Sequence, residues 1–171
     1  MGKLFEHCTT QDTLHKAWRR IRGNGARSKA EETRSAIEDF DHTANRNITR
    51  IQKRLRTDAF EFDPQKGVLK TKSGGGKRGI VMALVHNRIV ERALLDTLQR
   101  KVEIARQAGR QPSSFGGVPE RSVPHALKFL DEAFKSGHTH FVRSDISGFF
   151  DGIPRKAVLE RIGGTRMTSA S

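Results

Sequence analysis

A carboxylate stands at the end of an apolar run in "FVRSDISGFFDGIPRKAVLERI", residues 141–162. Phosphoryl transfer by two metal ions uses carboxylates that hold both ions about 4 Å apart, and Mg²⁺ binds few protein oxygens beside water and substrate phosphates. Asp145, at the end of a predicted buried strand, is therefore a candidate Mg²⁺ ligand, and the backbone carbonyl of Ile146 could face a metal too. The alternative is that Asp145 pairs with Arg143 or caps a turn.

A second acid, Asp151, follows six residues later, two residues before Ile153-Pro154. It is well placed to cap the helix that Pro154 opens. A role at a second metal would require Asp151 to lie on the same face as Asp145. The two-residue alternation of a strand is not maintained over six residues that include a glycine. We therefore favour the capping role for Asp151.

Four basic residues surround a glycine-rich tip in "KGVLKTKSGGGKRGIVMAL". Two short runs, 68–71 and 79–84, flank this tip and predict a β-hairpin. Glycine lets the backbone approach a phosphate closely, and Lys70, Lys72, Lys77 and Arg78 supply positive charge. The Gly-Lys-Ser/Thr order of a Walker loop is missing. A solvated charged turn is the alternative reading.

A loop, "SSFGGVPERS", carries an aromatic ring and a guanidinium among small residues. Phe115 could stack on a base and Arg121 could contact phosphate. The alternative is that Phe115 belongs to the core beside the loop.

The spacing of apolar residues and the positions of glycine and proline predict the helices and strands that must position these residues. Helices are predicted over 11–25, 26–60 with a break near Asp41, 85–107, 122–136 and 154–162, and a strand over 139–146. Because the strands lie far apart in the sequence, the pattern is typical of an α+β fold.

The charge is strongly positive, with 32 Lys and Arg against 19 Asp and Glu and a formal net charge of +13. Such a balance favours nucleic acid as the partner; a ribosome-associated or merely soluble basic protein is the alternative. Cys8 is the one cysteine, which excludes an internal disulfide and favours a reduced compartment. With neither a membrane-length apolar run nor a signal-peptide core, we expect a cytoplasmic protein.

Four segments, "KTKSGGGKRGIV", "HNRIVERALLDTL", "SSFGGVPERSVPHAL" and "FVRSDISGFFDGIP", closely resemble, in this order, the fingers and palm motifs of bacterial reverse transcriptases. These RNA-directed DNA polymerases include the group II intron type and related antiviral-defence enzymes. The resemblance runs from about Leu14 to Ile162. It implies helical fingers with a β-hairpin, followed by the first strand and helix of a polymerase palm. We expect residues 1–139 to be fingers-like, 140–162 to start the palm with its first acidic motif, and 163–171 to be a disordered tail.

The resemblance also implies roles for individual residues in binding two Mg²⁺ ions and a deoxynucleoside triphosphate. Asp145 is similar to the first metal-binding aspartate, with the Ile146 carbonyl beside the second ion. The residues expected along the triphosphate and sugar are Lys72 and Arg78 in the fingers, Ser147, Gly148 and Phe149 along the phosphates, and Phe150 under the sugar, where it excludes a 2′-hydroxyl. The loop 114–117 would lie against the template or the entering nucleotide.

The family's second acidic motif, a Tyr/Phe-x-Asp-Asp turn, does not occur in these 171 residues. We therefore expect this chain alone to be inactive in nucleotidyl transfer. One reading is that a separate chain supplies the rest of the palm and the thumb. Asn87 and Glu91 stand where the family generally has aspartate and glutamine. The expected partners are an RNA template and a primer, or structured RNA. The alternatives are a non-catalytic RNA-binding module that uses the basic helices 19–27 and 46–56, or a truncated pseudogene product.

Overall fold

A computed structural model describes residues 2–71, 74–149 and 152–163. For Arg78 it describes the backbone only. Its elements are α1 Lys3–Cys8, α2 Gln11–Gly25, α3 Glu31–His42, α4 Ala44–Arg56, β1 Lys66–Thr71, β2 Lys77–Met82, α5 Val85–Lys101, α6 Glu103–Arg110, α7 Val123–Lys135 and α8 Arg155–Gly163. This mixture of helices with a two-stranded antiparallel sheet confirms the α+β class. The assignment to a polymerase palm stays a prediction.

The chain forms two compact units, residues 1–97 and 98–171, and the boundary falls inside α5. The predicted division after residue 139 separates a fingers-like from a palm-like region, not two compact units, and it stays a prediction. Among the residues that the structure describes, no helix is long and apolar enough to cross a membrane.

The predicted helix over 11–25 is confirmed as α2. Its N-cap is Thr10, whose hydroxyl accepts a hydrogen bond from the backbone N–H of Thr13 at 3.2 Å, satisfying one of the free N–H groups of the first turn. Leu14, Trp18 and Ile21 recur at helical spacing and are all buried. This face of α2 therefore supplies much of the core of the first unit.

The predicted break in the following helical region is also confirmed, since α3 ends at His42 and α4 begins at Ala44. Ile37 from α3 and Ile48 and Ile51 from α4 are buried with the α2 residues. The rings of Trp18 and Phe40 lie 4.6 Å apart. Burial of this apolar stripe leaves the basic side of α4 facing outward.

The start of α5 completes the first unit by burying Val85, Ile89 and Ala93 in the same core. Asp96, farther along α5, is buried as well and accepts hydrogen bonds from Arg20 of α2 at 2.8 Å and Arg92 at 2.7 Å. A buried carboxylate needs such partners because desolvation is costly. The pair with Arg20 fixes α5 against α2.

The predicted β-hairpin is confirmed, although both strands begin two residues earlier than predicted. β1 and β2 are antiparallel, with Lys66 opposite Met82 and Thr71 opposite Lys77. All of β1 is exposed to solvent. The hairpin therefore presents its side chains to solvent more than to the core.

In the second unit, α7 begins after Ser122 and carries Pro124 in its first turn, as predicted. The strand predicted over 139–146 is wrong, because these residues form neither helix nor strand and Phe141 and Val142 are 76% and 89% exposed. A strand needs a hydrogen-bonded neighbour, and the two described strands pair only with each other. α8 includes Gly163, the first residue of the predicted tail; residues 164–171 lie outside those described.

Candidate nucleic-acid interface

The basic side of α4 concentrates positive charge on one surface of the first unit. The helix "ANRNITRIQKRLR" contains no acidic residue, and no ion pair joins its cations to a carboxylate within the described ranges. We call these five cations the α4 basic face: Arg46, Arg50, Lys53, Arg54 and Arg56. Cations without a carboxylate partner are free to bind phosphates.

The other basic segment predicted to bind RNA, residues 19–27 at the end of α2 and just beyond it, differs in this respect. Arg20 pairs with Asp96 and Arg22 with Asp41, at 2.8 and 2.9 Å. Arg27 donates from Nε to the carbonyl of Gly23 at 3.0 Å. Much of the positive charge of α2 is thus neutralised or used within the fold, and α4 is the stronger candidate surface.

The hairpin adds a second group of cations to the first unit. Lys70 lies opposite Arg78 in the ladder, next to the pair of Thr71 and Lys77. Gly75 and Gly76 at the tip have φ of +83° and +80°, a left-handed conformation that glycine adopts without strain. Lys72, predicted to grip a triphosphate, lies outside the described residues, so that role stays a prediction for both Lys72 and Arg78.

The base of the hairpin is fastened to the start of α5 by polar contacts that the sequence analysis missed. Asn87 is fully buried; its side-chain oxygen accepts from the N–H of Asp63 at 3.3 Å, and its amide donates to the Asp63 carbonyl at 3.0 Å. His86 Nε2 contacts the Asp63 carboxylate. One hint of these contacts was present in the sequence, since Asn87 stands where the resembled motif generally has aspartate.

Asp145, the predicted metal ligand, lies exposed in the second unit. Its Oδ1 accepts a hydrogen bond from the backbone N–H of Ile146 at 2.9 Å, and it forms no ion pair with Arg143 among those the described residues make. The local geometry thus resembles the turn-capping alternative. The predicted metal-binding role of the Asp145 carboxylate and the Ile146 carbonyl stays a prediction.

The neighbours of Asp145 form a turn over residues 147–149. Gly148 has φ of +62°, and the exposed Ser147 and Phe149 flank it. Phe150 and Asp151, with their predicted sugar-binding and helix-capping roles, lie outside the described residues. Over the described ranges, no three His, Cys, Asp or Glu side chains come together to hold a metal ion. The donor set of the described residues thus does not by itself fit two Mg²⁺ ions.

The loop predicted to contact a base and phosphate is organised by Arg121. Its Nη1 donates to the carbonyls of Ser114, at 2.7 Å, and Gln111. The guanidinium lies 5.7 Å from the centre of the Phe115 ring, which in turn lies 5.6 Å from the Phe129 ring. These contacts favour the packing alternative for Phe115 and give Arg121 a structural role in the loop.

No family model matches the chain. It is 30% identical over 112 residues to a curated protein of Schizosaccharomyces pombe described as an uncharacterized 91 kDa protein in cob intron. The match covers 66% of this chain and 13% of that protein, so the chain spans about one eighth of its relative's length. This similarity is compatible with an intron-encoded protein.

Proposed function

We propose that this chain forms the fingers and the start of the palm of an RNA-directed DNA polymerase of the intron-encoded type. The observation that carries the proposal is the hairpin, whose antiparallel register sets Lys70 opposite Arg78 beside a glycine tip. Cations on a hairpin with a glycine tip suit the phosphates of a nucleotide or of an RNA strand. The order of the four resembling motifs and the similarity to a protein in an intron support the same reading.

On this proposal the hairpin binds the incoming deoxynucleoside triphosphate through Lys72 and Arg78. Asp145 and the Ile146 carbonyl would hold part of a Mg²⁺ site, whose ions stabilise developing negative charge when bound. The other carboxylates would come from another segment or a separate chain. Ser147, Gly148 and Phe149 would follow the triphosphate.

The test is binding and extension of a DNA primer on an RNA template by the 171-residue chain. We expect tighter binding to a template with a recessed primer end than to a blunt duplex of equal length. We expect no primer extension, because the 171 residues contain no Asp-Asp pair. Extension that Asp145→Ala abolishes would contradict the expected inactivity.

A non-catalytic RNA-binding module is the second candidate, favoured by the α4 basic face, which has no carboxylate partner in the described part of the chain. It predicts that RNA affinity is unchanged in Asp145→Ala and that a recessed primer end gives no advantage. Equal affinity for the blunt and recessed duplexes would therefore favour this candidate over a polymerase.

A further inference from the structure

A cleft of about 270 Å³ opens in the first unit between α3, α4, the segment before β1 and the start of α5. Small-molecule sites usually exceed about 300 Å³, so this volume suits one planar group with a small substituent. Its lining combines aromatic rings with polar and basic groups, chiefly Phe40, Asn47, Arg50, Arg54, Phe60 and His86.

Arg54 is held in position within this cleft. Its Nε donates to the carbonyl of Ala59 at 3.2 Å, and its guanidinium carbon lies 5.6 Å from the centre of the Phe60 ring. Phe60 is itself supported edge-on by Phe62, at 5.2 Å between ring centres. Unpaired bases of RNA stack on guanidinium planes and aromatic rings, so the Arg54–Phe60 pair is a ready stacking surface.

The polar lining favours a ligand that also carries negative charge. Arg50 is exposed one turn before Arg54, and within the described residues neither has a carboxylate partner. Asp63, in the segment before β1, contacts His86 of the cleft lining. Asn47 donates to Thr43 at 2.9 Å, which leaves its side-chain oxygen able to accept a hydrogen bond from a base edge.

We propose that this cleft binds one unstacked nucleotide of single-stranded RNA, with the base on Arg54 and the phosphate facing Arg50. The inference rests on the nucleic-acid partner of the proposed function and needs none of its polymerase chemistry. Neighbouring phosphates of the strand would meet the rest of the α4 basic face, so an oligonucleotide binds more tightly than a free nucleotide.

The experiment uses the 171-residue chain and a short single-stranded RNA that carries 4-thiouridine, with no primer. After irradiation and trypsin digestion, we expect the crosslink on the peptide 57–66, which contains Phe60. Arg54→Ala should lower the affinity about tenfold, within the range for loss of one stacked base, and should remove the crosslink.

Two further variants separate stacking from charge. Arg54→Lys keeps the charge and loses the planar guanidinium, so it should also reduce the crosslink. Lys53→Ala removes one exposed cation of the α4 basic face outside the cleft lining, so it should weaken binding less than Arg54→Ala does and should keep the crosslink. Arg50→Ala, at an exposed position, replaces Arg54→Ala if circular dichroism finds that variant unfolded.

The proposal is overturned if the peptide 57–66 carries no crosslink, or if Lys53→Ala and Arg54→Ala weaken binding equally while Arg54→Lys is neutral. Either result would leave only general attraction of α4 for a polyanion. AMP that binds as tightly as the oligonucleotide would also overturn the assignment to an RNA strand. Failure of primer-template binding, by contrast, would remove the polymerase proposal and leave this crosslink intact.

Discussion

At the scale of single residues, the contacts of Asn87 are the most specific that the structure adds to the sequence. Its side chain both accepts from and donates to the backbone of Asp63. Aspartate, the residue of the resembled motif at this position, lacks the donor and brings a charge. The sequence could not predict this clamp, because the partner is a backbone unit 24 residues away and leaves no side-chain pattern.

Asn87→Asp should therefore destabilise the first unit. We expect the free energy of unfolding to fall by about 3 kcal/mol, since the change buries a charge and leaves the Asp63 carbonyl without its donor. Urea denaturation followed by circular dichroism measures it. The matched control is Asn45→Asp at an exposed position of α4, with an effect within about 0.5 kcal/mol. Equal effects of the two variants would refute the clamp.

Cys8 gives a prediction that depends on pH. Burial raises the pKa of the Cys8 thiol above its ordinary value, and a hydrogen bond with Thr97 acts in the opposite direction. The folded chain should thus react with a thiol reagent much more slowly at pH 8 than the denatured chain. Because the unfolded thiol ionises first, stability should also decline as the pH rises through the unfolded pKa toward the folded one. Equal labelling rates with and without denaturant would contradict this.

At the scale of elements, apolar spacing predicted α2, the break between α3 and α4, and α7. Local pattern suffices there because each helix makes its own hydrogen bonds and buries one stripe. The strand over 139–146 failed for the complementary reason, since a strand depends on a partner that its own residues do not specify. In the same way, residue type and local sequence indicated Asp145 as a candidate metal ligand. Which other side chains lie near it depends on the tertiary structure.

The packing of α2 on α3 gives a prediction with an internal control. A Cβ on Gly25 would lie 2.5 Å from Cγ1 of the buried Ile37, so Gly25→Ala should cost about 1–2 kcal/mol after the gain in helix propensity. Gly23→Ala, in the same helix with no neighbour within 4 Å of the added Cβ, should stabilise by up to about 1 kcal/mol. Thermal denaturation of both variants decides; a stabilising Gly25→Ala would contradict the described packing.

At the scale of the whole molecule, a formal charge of +13 predicted a polyanionic partner but could not locate its surface. The structure divides the cations of the first unit into those paired with carboxylates on α2 and those without such partners on α4. This division depends on tertiary contacts such as Arg20–Asp96, across 76 residues of sequence. Counting charges gives four cations over residues 19–27 and five over residues 46–56, but it does not show which of them are paired.

Salt dependence tests this division. The logarithm of the affinity for single-stranded RNA should fall linearly with the logarithm of the salt concentration, and the slope should lose about 0.7 for each phosphate-binding cation removed. Arg46→Ala combined with Arg50→Ala should therefore flatten the slope by about 1.4. Lys16→Ala, which removes a lysine paired with Asp12 at 2.6 Å, should change it much less. A larger effect of Lys16→Ala would place the RNA on α2.

The central claim, that these residues belong to a polymerase, is tested most directly by photocrosslinking a labelled deoxynucleoside triphosphate to the chain with Mg²⁺, an RNA template and a DNA primer. The account predicts labelling only by the nucleotide complementary to the template, reduced about tenfold in Arg78→Ala, as expected for a lost charge-assisted contact. Lys66→Ala, at the far end of the hairpin and paired with Glu32, is the control and should label normally. Labelling that ignores the template, or that Arg78→Ala leaves unchanged while RNA still binds, would contradict the account and leave an RNA-binding module.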